Sequence, residues 1–88
     1  MYEIIIEPPA ERFIKTLNKE KQKELLDRIN ELSIKPRQGK ELVGRLNGLR
    51  RLRIDNYRAI YRLEDAKLII FILRVGHRKD IYSKNINK

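Results

Sequence analysis

The apolar positions of this chain change period from two to nearly four and back to two, and that change divides it into elements. "YEIIIE", residues 2–7, is a β-branched run that reads as a strand. Pro8 and Pro9 end it, because proline lacks a ladder donor and suits the first turn of a helix. Ala10, Phe13, Ile14 and Leu17 then recur at helical spacing, opposite Glu11, Arg12 and Lys15, which predicts an amphipathic helix. Asn18 is placed to cap a second helix, with Glu20 near its positive end. Leu25, Leu26, Ile29 and Leu32 form the stripe of that helix, and Pro36 bounds it. Two successive helices with one stripe each predict a helical hairpin, its alternating lysines and glutamates forming the solvated face.

Residues 35–48, "KPRQGKELVGRLNG", show no clean period and carry three of the four glycines, so they read as a connecting loop with a short turn of helix. Period two returns in three close segments, Leu49 to Ile54, Tyr57 to Leu63 and Lys67 to Val75. Asp55-Asn56 reads as a two-residue turn, since both residue types tolerate positive φ. "LIIFILRV" is apolar on both faces and belongs at the centre of a sheet. The expectation is one α+β domain over residues 1–88, a small antiparallel β-sheet in β-α-α-β-β-β order with an N-terminal helical hairpin packed on one face. The segment from Gly76 onward fits a short helix or an extended end.

A two-residue turn fixes the register of the first hairpin. Ile54 should pair with Tyr57, Arg53 with Arg58, Leu52 with Ala59, and Arg51 with Ile60. Alternation then turns Leu52, Ile54, Tyr57, Ala59 and Tyr61 toward the helices, and Arg51, Arg53, Arg58 and Arg62 away from them. Like charges directly opposed across a sheet cost about 0.2–1 kcal/mol, so folding alone gives no reason for placing Arg53 against Arg58. Long stems lying along the sheet with their heads in water would account for Arg50 and Arg62.

Composition sharpens this picture. The net charge is +9, with nine Lys/Arg against eight Asp/Glu in residues 1–44 and twelve against four in residues 45–88. The basic half is also the arginine-rich half, and the planar guanidinium fork matches phosphate oxygens, so a polyanionic partner is expected. The absence of cysteine removes disulfides and thiolate metal sites, and a single histidine leaves no nitrogen cluster for a transition metal, so no metal and no cofactor are expected. No apolar run has the length of a membrane span, and "MYEIIIEPP" has neither the basic flank nor the cleavage site of a signal peptide; a cytoplasmic location is expected.

Metal-free chemistry with these residue types favours RNA over DNA. A base removes the proton of the 2'-hydroxyl, the oxygen attacks the adjacent phosphorus, and an acid protonates the departing 5'-oxygen; DNA lacks the nucleophile. Arginines stabilise the extra charge of the transition state, and a tyrosine stacks on an unpaired base and holds the backbone in line. "VGHRKDIYSK" adds His77, Arg78 and Tyr82 directly after the central strand. Arginine is a poor acid or base near neutrality, which leaves His77, Tyr82 or a strongly perturbed guanidinium for proton transfer.

Residues 46–82, "LNGLRRLRIDNYRAIYRLEDAKLIIFILRVGHRKDIY", closely resemble the RelE/ParE toxin superfamily of toxin–antitoxin modules, and the element order extends the likeness over nearly the whole chain. "GLRRLRI", "NYRAIYR" and "LRVGHRKDIY", in that order and spacing, carry the resemblance. It implies a small sheet backed by a helical hairpin and a cognate acidic, RelB-like antitoxin that wraps and neutralises the toxin. For the RelE branch it implies cutting of mRNA in the ribosomal A site. Position by position, the basic pair of the first hairpin strand falls on Arg51 and Arg53, the phosphate-binding arginine on Arg58, the arginine at the leaving group on Arg78, and the codon-stacking tyrosine on Tyr82. The best-known RelE members carry lysines where this chain has Arg51 and Arg53. His77 occupies a position that is often basic in relatives, and a direct acid/base role for it is an expectation. Arg45, Arg50, Arg62, Lys79 and Lys84 are the expected additional contacts to RNA and ribosome. The ParE branch shares the fold but acts on DNA gyrase. Three readings therefore stand: a ribosome-dependent mRNA endonuclease, a non-nuclease gyrase inhibitor, and a plain nucleic-acid-binding module.

Overall fold

The structure is a computed structural model that describes residues 1–82. Its elements follow the order β1 (Glu3–Ile6), α1 (Pro8–Lys15), α2 (Lys19–Asn30), β2 (Lys40–Glu41), β3 (Arg50–Ile54), β4 (Tyr57–Glu64) and β5 (Ile69–His77). Short 3-10 turns occupy Glu31–Ser33, Gly44–Leu46 and Asp65–Lys67. Pro8 opens α1 directly after β1. The Asn18 side chain accepts a hydrogen bond from the Lys21 amide at 2.8 Å, capping α2 as its sequence predicts.

The strands form one five-stranded sheet in the order β1-β5-β4-β3-β2. β3, β4 and β5 are an antiparallel meander with β5 inside the sheet, as its apolar sequence requires. Two features differ from the expected all-antiparallel sheet. β1 lies parallel to β5, with Glu3 opposite Ile69 and Ile6 opposite Ile72, so the sheet is mixed. The helical hairpin makes this direction available, since it carries the chain from β1 across one face of the sheet before the meander begins. The second is β2, two residues of the 35–48 loop that pair with Arg50 and Arg51.

The core lies between the helices and one sheet face. Ala10, Ile14, Leu25 and Ile29 of the helices pack with Leu52, Ile54, Ala59, Tyr61, Ile70, Ile72 and Val75 of the sheet. The bulge in the β4–β5 ladder decides which residues of β5 join them. Ile60 pairs with Arg74 and Tyr61 with Ile72, leaving Leu73 as the extra residue. The parity of β5 reverses there, so Ile72 and Val75 both face the helices.

Tyr61 fastens the 35–48 loop to this core. Its hydroxyl donates to the Pro36 carbonyl at 2.8 Å and accepts from the Gly39 amide at 2.9 Å. Gly39 is required by this approach, since a Cβ there would meet the Tyr61 oxygen at 2.6 Å and the Arg51 carbonyl oxygen at 2.8 Å. Tyr2 and Arg37 both bond to the Asp65 carboxylate, the latter at 2.6 Å, tying β1 and the loop to the turn before β5.

Tyr61→Phe should lower unfolding free energy by about 1–3 kcal/mol, because the buried Gly39 amide loses its acceptor. Burial also raises the Tyr61 phenol above its ordinary range, outweighing the Gly39 bond and the positive charges of Arg50 and Arg37. Its folded-state value then exceeds the unfolded one. That contribution to stability is complete below about pH 10 and is lost as pH rises through the folded value. Urea unfolding should show the wild type losing stability above that pH more steeply than Tyr61→Phe; equal slopes would contradict the assignment.

Candidate functional site

The β3–β4 register is the one its turn dictates, with Arg53 directly across from Arg58 and Arg51 across from Ile60. Asp55 takes a φ of 53° at the turn, a conformation that aspartate tolerates. Leu52, Ile54, Ala59 and Tyr61 are buried against the helices, which turns Arg51, Arg53 and Arg58 to the opposite face.

Arg58 is the centre of that face. Its Nη1 donates to the carbonyls of Asp55 and Tyr57, each at 2.8 Å, which holds the guanidinium beside the hairpin turn. Its positive charge is less firmly held than an ordinary arginine's. Burial is the main cause, followed by repulsion from Arg53, Arg51 and Arg78, while the Tyr82 phenol acts in the opposite sense. The groups from β3 and from the chain after β5 thus meet electrostatically around Arg58. Its guanidinium fork is suited to binding negative charge. On β3, the Arg51 Nε is buried without a hydrogen-bond partner among the described residues, a donor whose desolvation costs about 1–3 kcal/mol until an acceptor meets it.

The chain after β5 is delivered to the site by one tight turn. The Arg78 amide donates to the Asn56 carbonyl at 2.8 Å, and the Asp80 and Ile81 amides donate to the His77 carbonyl at 2.9 Å. Gly76 stands directly opposite Arg58. A Cβ on it would lie 3.3 Å from Ile81 Cδ1, so the glycine leaves room for Ile81, which is buried. The same turn carries the exposed Arg78 and Tyr82, with the Arg78 backbone held at the β3–β4 turn.

The other expected residues are placed differently. His77 lies on the helix side, its ring 4.9 Å from that of Tyr57 and 5.9 Å from that of Phe13. The Leu73 bulge is the reason: in an unbulged strand, His77 and not Gly76 would face the arginines. Arg50 donates to the Gly39 carbonyl at 2.8 Å and braces the loop. Arg62 pairs with Glu64 at 2.6 Å and lies 4.5 Å above the Phe71 ring. Arg45 is exposed in the Gly44–Leu46 turn, well before β3 in sequence. Lys79 lines a cleft of about 270 Å³ with Asn56, His77, Arg78 and Asp80. Lys84 lies outside the described residues.

Two cations absent from the sequence-based set border Arg51 and Arg53: Arg28 of α2 and Lys40 of β2. Arg28 looks like a solvated helix residue in the sequence, and Lys40 falls in the aperiodic loop. Only the like charges opposed across β2 and β3 single Lys40 out, and that pairing is invisible until β2 is placed. Among the described residues, no group of three or more His, Cys, Asp or Glu is arranged to hold a metal ion. No helix among them is long and apolar enough to cross a membrane.

The sequence profile described as "ParE toxin of type II toxin-antitoxin system, parDE" matches residues 4–82. The chain belongs to this toxin family. A curated relative, toxin RelG of Mycobacterium tuberculosis, is 44% identical over 55 residues, which cover 61% of this chain and 63% of that protein. The match thus spans under two thirds of the relative's length. A chain of the toxin–antitoxin complex RelBE2 from Mycobacterium tuberculosis superposes with a TM-score of 0.81 at 32% identity, covering 88% of this chain and 98% of that one. The isolated RelE toxin of E. coli has a TM-score of 0.75 at 23% identity over 94% of this chain and 93% of its own, a likeness of fold. The RelE/ParE resemblance read from the three motifs is therefore correct.

Because Arg53 is placed against Arg58 at the expense of the sheet, Arg53→Thr in this toxin should raise stability. The expected gain is about 0.2–1 kcal/mol at low salt, shrinking as salt screens the repulsion between the exposed Arg53 and the half-buried Arg58. Urea titrations at two ionic strengths measure it, and a loss of stability at low salt would show that the pair is not repulsive.

Proposed function

We propose that this toxin is a ribosome-dependent endoribonuclease that cuts mRNA in the A site by metal-free attack of the 2'-hydroxyl, and that a cognate acidic antitoxin of the RelB kind neutralises it. The observation that supports this reading is the arginine face of the hairpin, where Arg53 stands directly across from Arg58 and the turn that carries Arg78 is hydrogen-bonded to Asn56 of the same hairpin. In the reaction, the 2'-oxygen bonds to phosphorus and the bond from phosphorus to the 5'-oxygen breaks. One proton passes in net from the 2'-hydroxyl to the departing oxygen, leaving a 2',3'-cyclic phosphate and a 5'-hydroxyl. Arg58 holds the phosphate, Arg51 and Arg53 stabilise its non-bridging oxygens, Arg78 faces the leaving oxygen, and Tyr82 stacks on a base to keep the backbone in line. The substrate and the ribosome place the reaction in the cytoplasm.

The antitoxin follows from the same face. An exposed patch with this charge is complementary to an acidic segment that folds on binding, and the RelBE2 relative is a toxin–antitoxin complex. A second reading has its own support, since the matching family profile is that of ParE. In that reading the toxin inhibits DNA gyrase by protein binding and leaves RNA intact.

Incubation with programmed ribosomes, followed by mapping of RNA ends, separates the two. The expected result is A-site cleavage by the wild type, reduced about 10²–10³-fold by Arg78→Ala or Arg58→Ala and less by Tyr82→Phe than by Tyr82→Ala. Intact message at stoichiometric toxin, with gyrase supercoiling blocked, would replace the nuclease by the ParE-like reading.

A further inference from the structure

β2 is only two residues long and pairs with Arg50 and Arg51 alone, so the outer edge of β3 is uncovered from Leu52 onward. A cleft of about 380 Å³ opens there, lined by Arg28, Gln38, Gly39, Lys40, Arg51, Leu52 and Arg53. Its four cations come from α2, β2 and β3, and its lining contains no carboxylate among the described residues. Arg28 is restrained by Glu31, Nε to Oε1 at 3.5 Å, one turn further along.

We infer that this cleft is a second phosphate-binding subsite, in which Arg28 and Lys40 hold the RNA backbone beyond the phosphate bound at Arg58. The inference rests on the reading of RNA as the substrate. Three observations carry it. Lys40 stands directly opposite Arg51, so β3 meets a like charge on its outer side as well as at Arg53–Arg58, an arrangement that an anion relieves on both sides. The Arg51 Nε is buried and, among the described residues, unpaired, and Arg51 belongs both to the cleft lining and to the arginine face. The cleft also has room for a wet backbone unit, equal to roughly a dozen waters at about 30 Å³ each.

RNA fits this lining better than a protein segment does. Leu52 is the single apolar side chain among the lining residues, and it is itself buried in the core. A peptide strand or helix gains specificity from pockets for its apolar side chains, which this lining does not supply. Guanidinium and ammonium groups on either side of a groove bind successive phosphates without regard to sequence. Because Arg51 and Arg53 line both the cleft and the arginine face, a strand leaving Arg58 passes into the cleft without leaving positive potential.

The test is binding of a short 2'-O-methyl RNA, which lacks the attacking hydroxyl and stays intact, followed by fluorescence anisotropy across a salt series. Arg28→Ala and Lys40→Ala should each reduce the magnitude of the log K against log salt slope by about 0.7. Lys23→Ala, also on α2 but paired with Asp27, should leave the slope unchanged. With programmed ribosomes, the two cleft variants should raise KM and leave kcat near the wild-type value. Unchanged slopes, no binding of the oligomer by the wild type, or weakened binding of an acidic antitoxin peptide alone would each overturn the subsite. A wild type that binds the oligomer with the expected slopes yet leaves message intact would retain the subsite and remove the nuclease reading.

Discussion

The register of one hairpin governs both the stability of this toxin and the face it presents. Period-two alternation means that burying Leu52, Ile54, Ala59 and Tyr61 under the helices commits Arg51, Arg53 and Arg58 to the other face. A slip of one residue would move the arginines into the core, where unpaired charges cost far more than any local preference of the turn. The core therefore enforces an unfavourable arrangement of charge on its reverse side. That coupling lets a sheet of ordinary apolar content hold guanidinium groups against one another.

The second constraint is the bulge at Leu73. It keeps β5 packed on the helices along its whole length, since both Ile70 and Val75 are in the core despite their odd separation. It also presents Gly76, the one residue type without a side chain, directly opposite Arg58. Ile81 uses the space that results, and the turn it anchors carries Arg78 and Tyr82. This turn is held to the hairpin by the Arg78–Asn56 bond and to β5 by bonds to the His77 carbonyl. The part of the site contributed by Arg78 and Tyr82 is thus carried by a turn, and the part contributed by β3 and β4 by the ladder.

How much of this could be read from the sequence depends on how local each signal is. The helices, the Asn18 cap and the hairpin register are legible because period, cap and turn each lie within a few residues. The direction of β1 is not legible, because "YEIIIE" pairs equally well either way and the choice is made by the path of the chain around the helices. β2 is hidden because two residues carry no period, and with it the neighbourhood of Lys40. The bulge is hidden because "LIIFILRV" is apolar at every position up to Arg74, so its parity is unmarked. His77 shows the consequence: a single extra residue upstream puts its ring beside those of Phe13 and Tyr57.

The use of arginine on β3 follows from the same geometry. A lysine surrounded by positive charge and partly buried loses its proton readily and can then act as a base. A guanidinium in the same place keeps its charge; even Arg58, where burial and three neighbouring cations act together, is only displaced downward from a very high starting value. The face is therefore an array of guanidinium forks suited to binding negative charge. Under the nuclease reading, such an array does most when charge accumulates on the phosphate, because the repulsion stored among the arginines is relieved most fully by the doubly charged transition state.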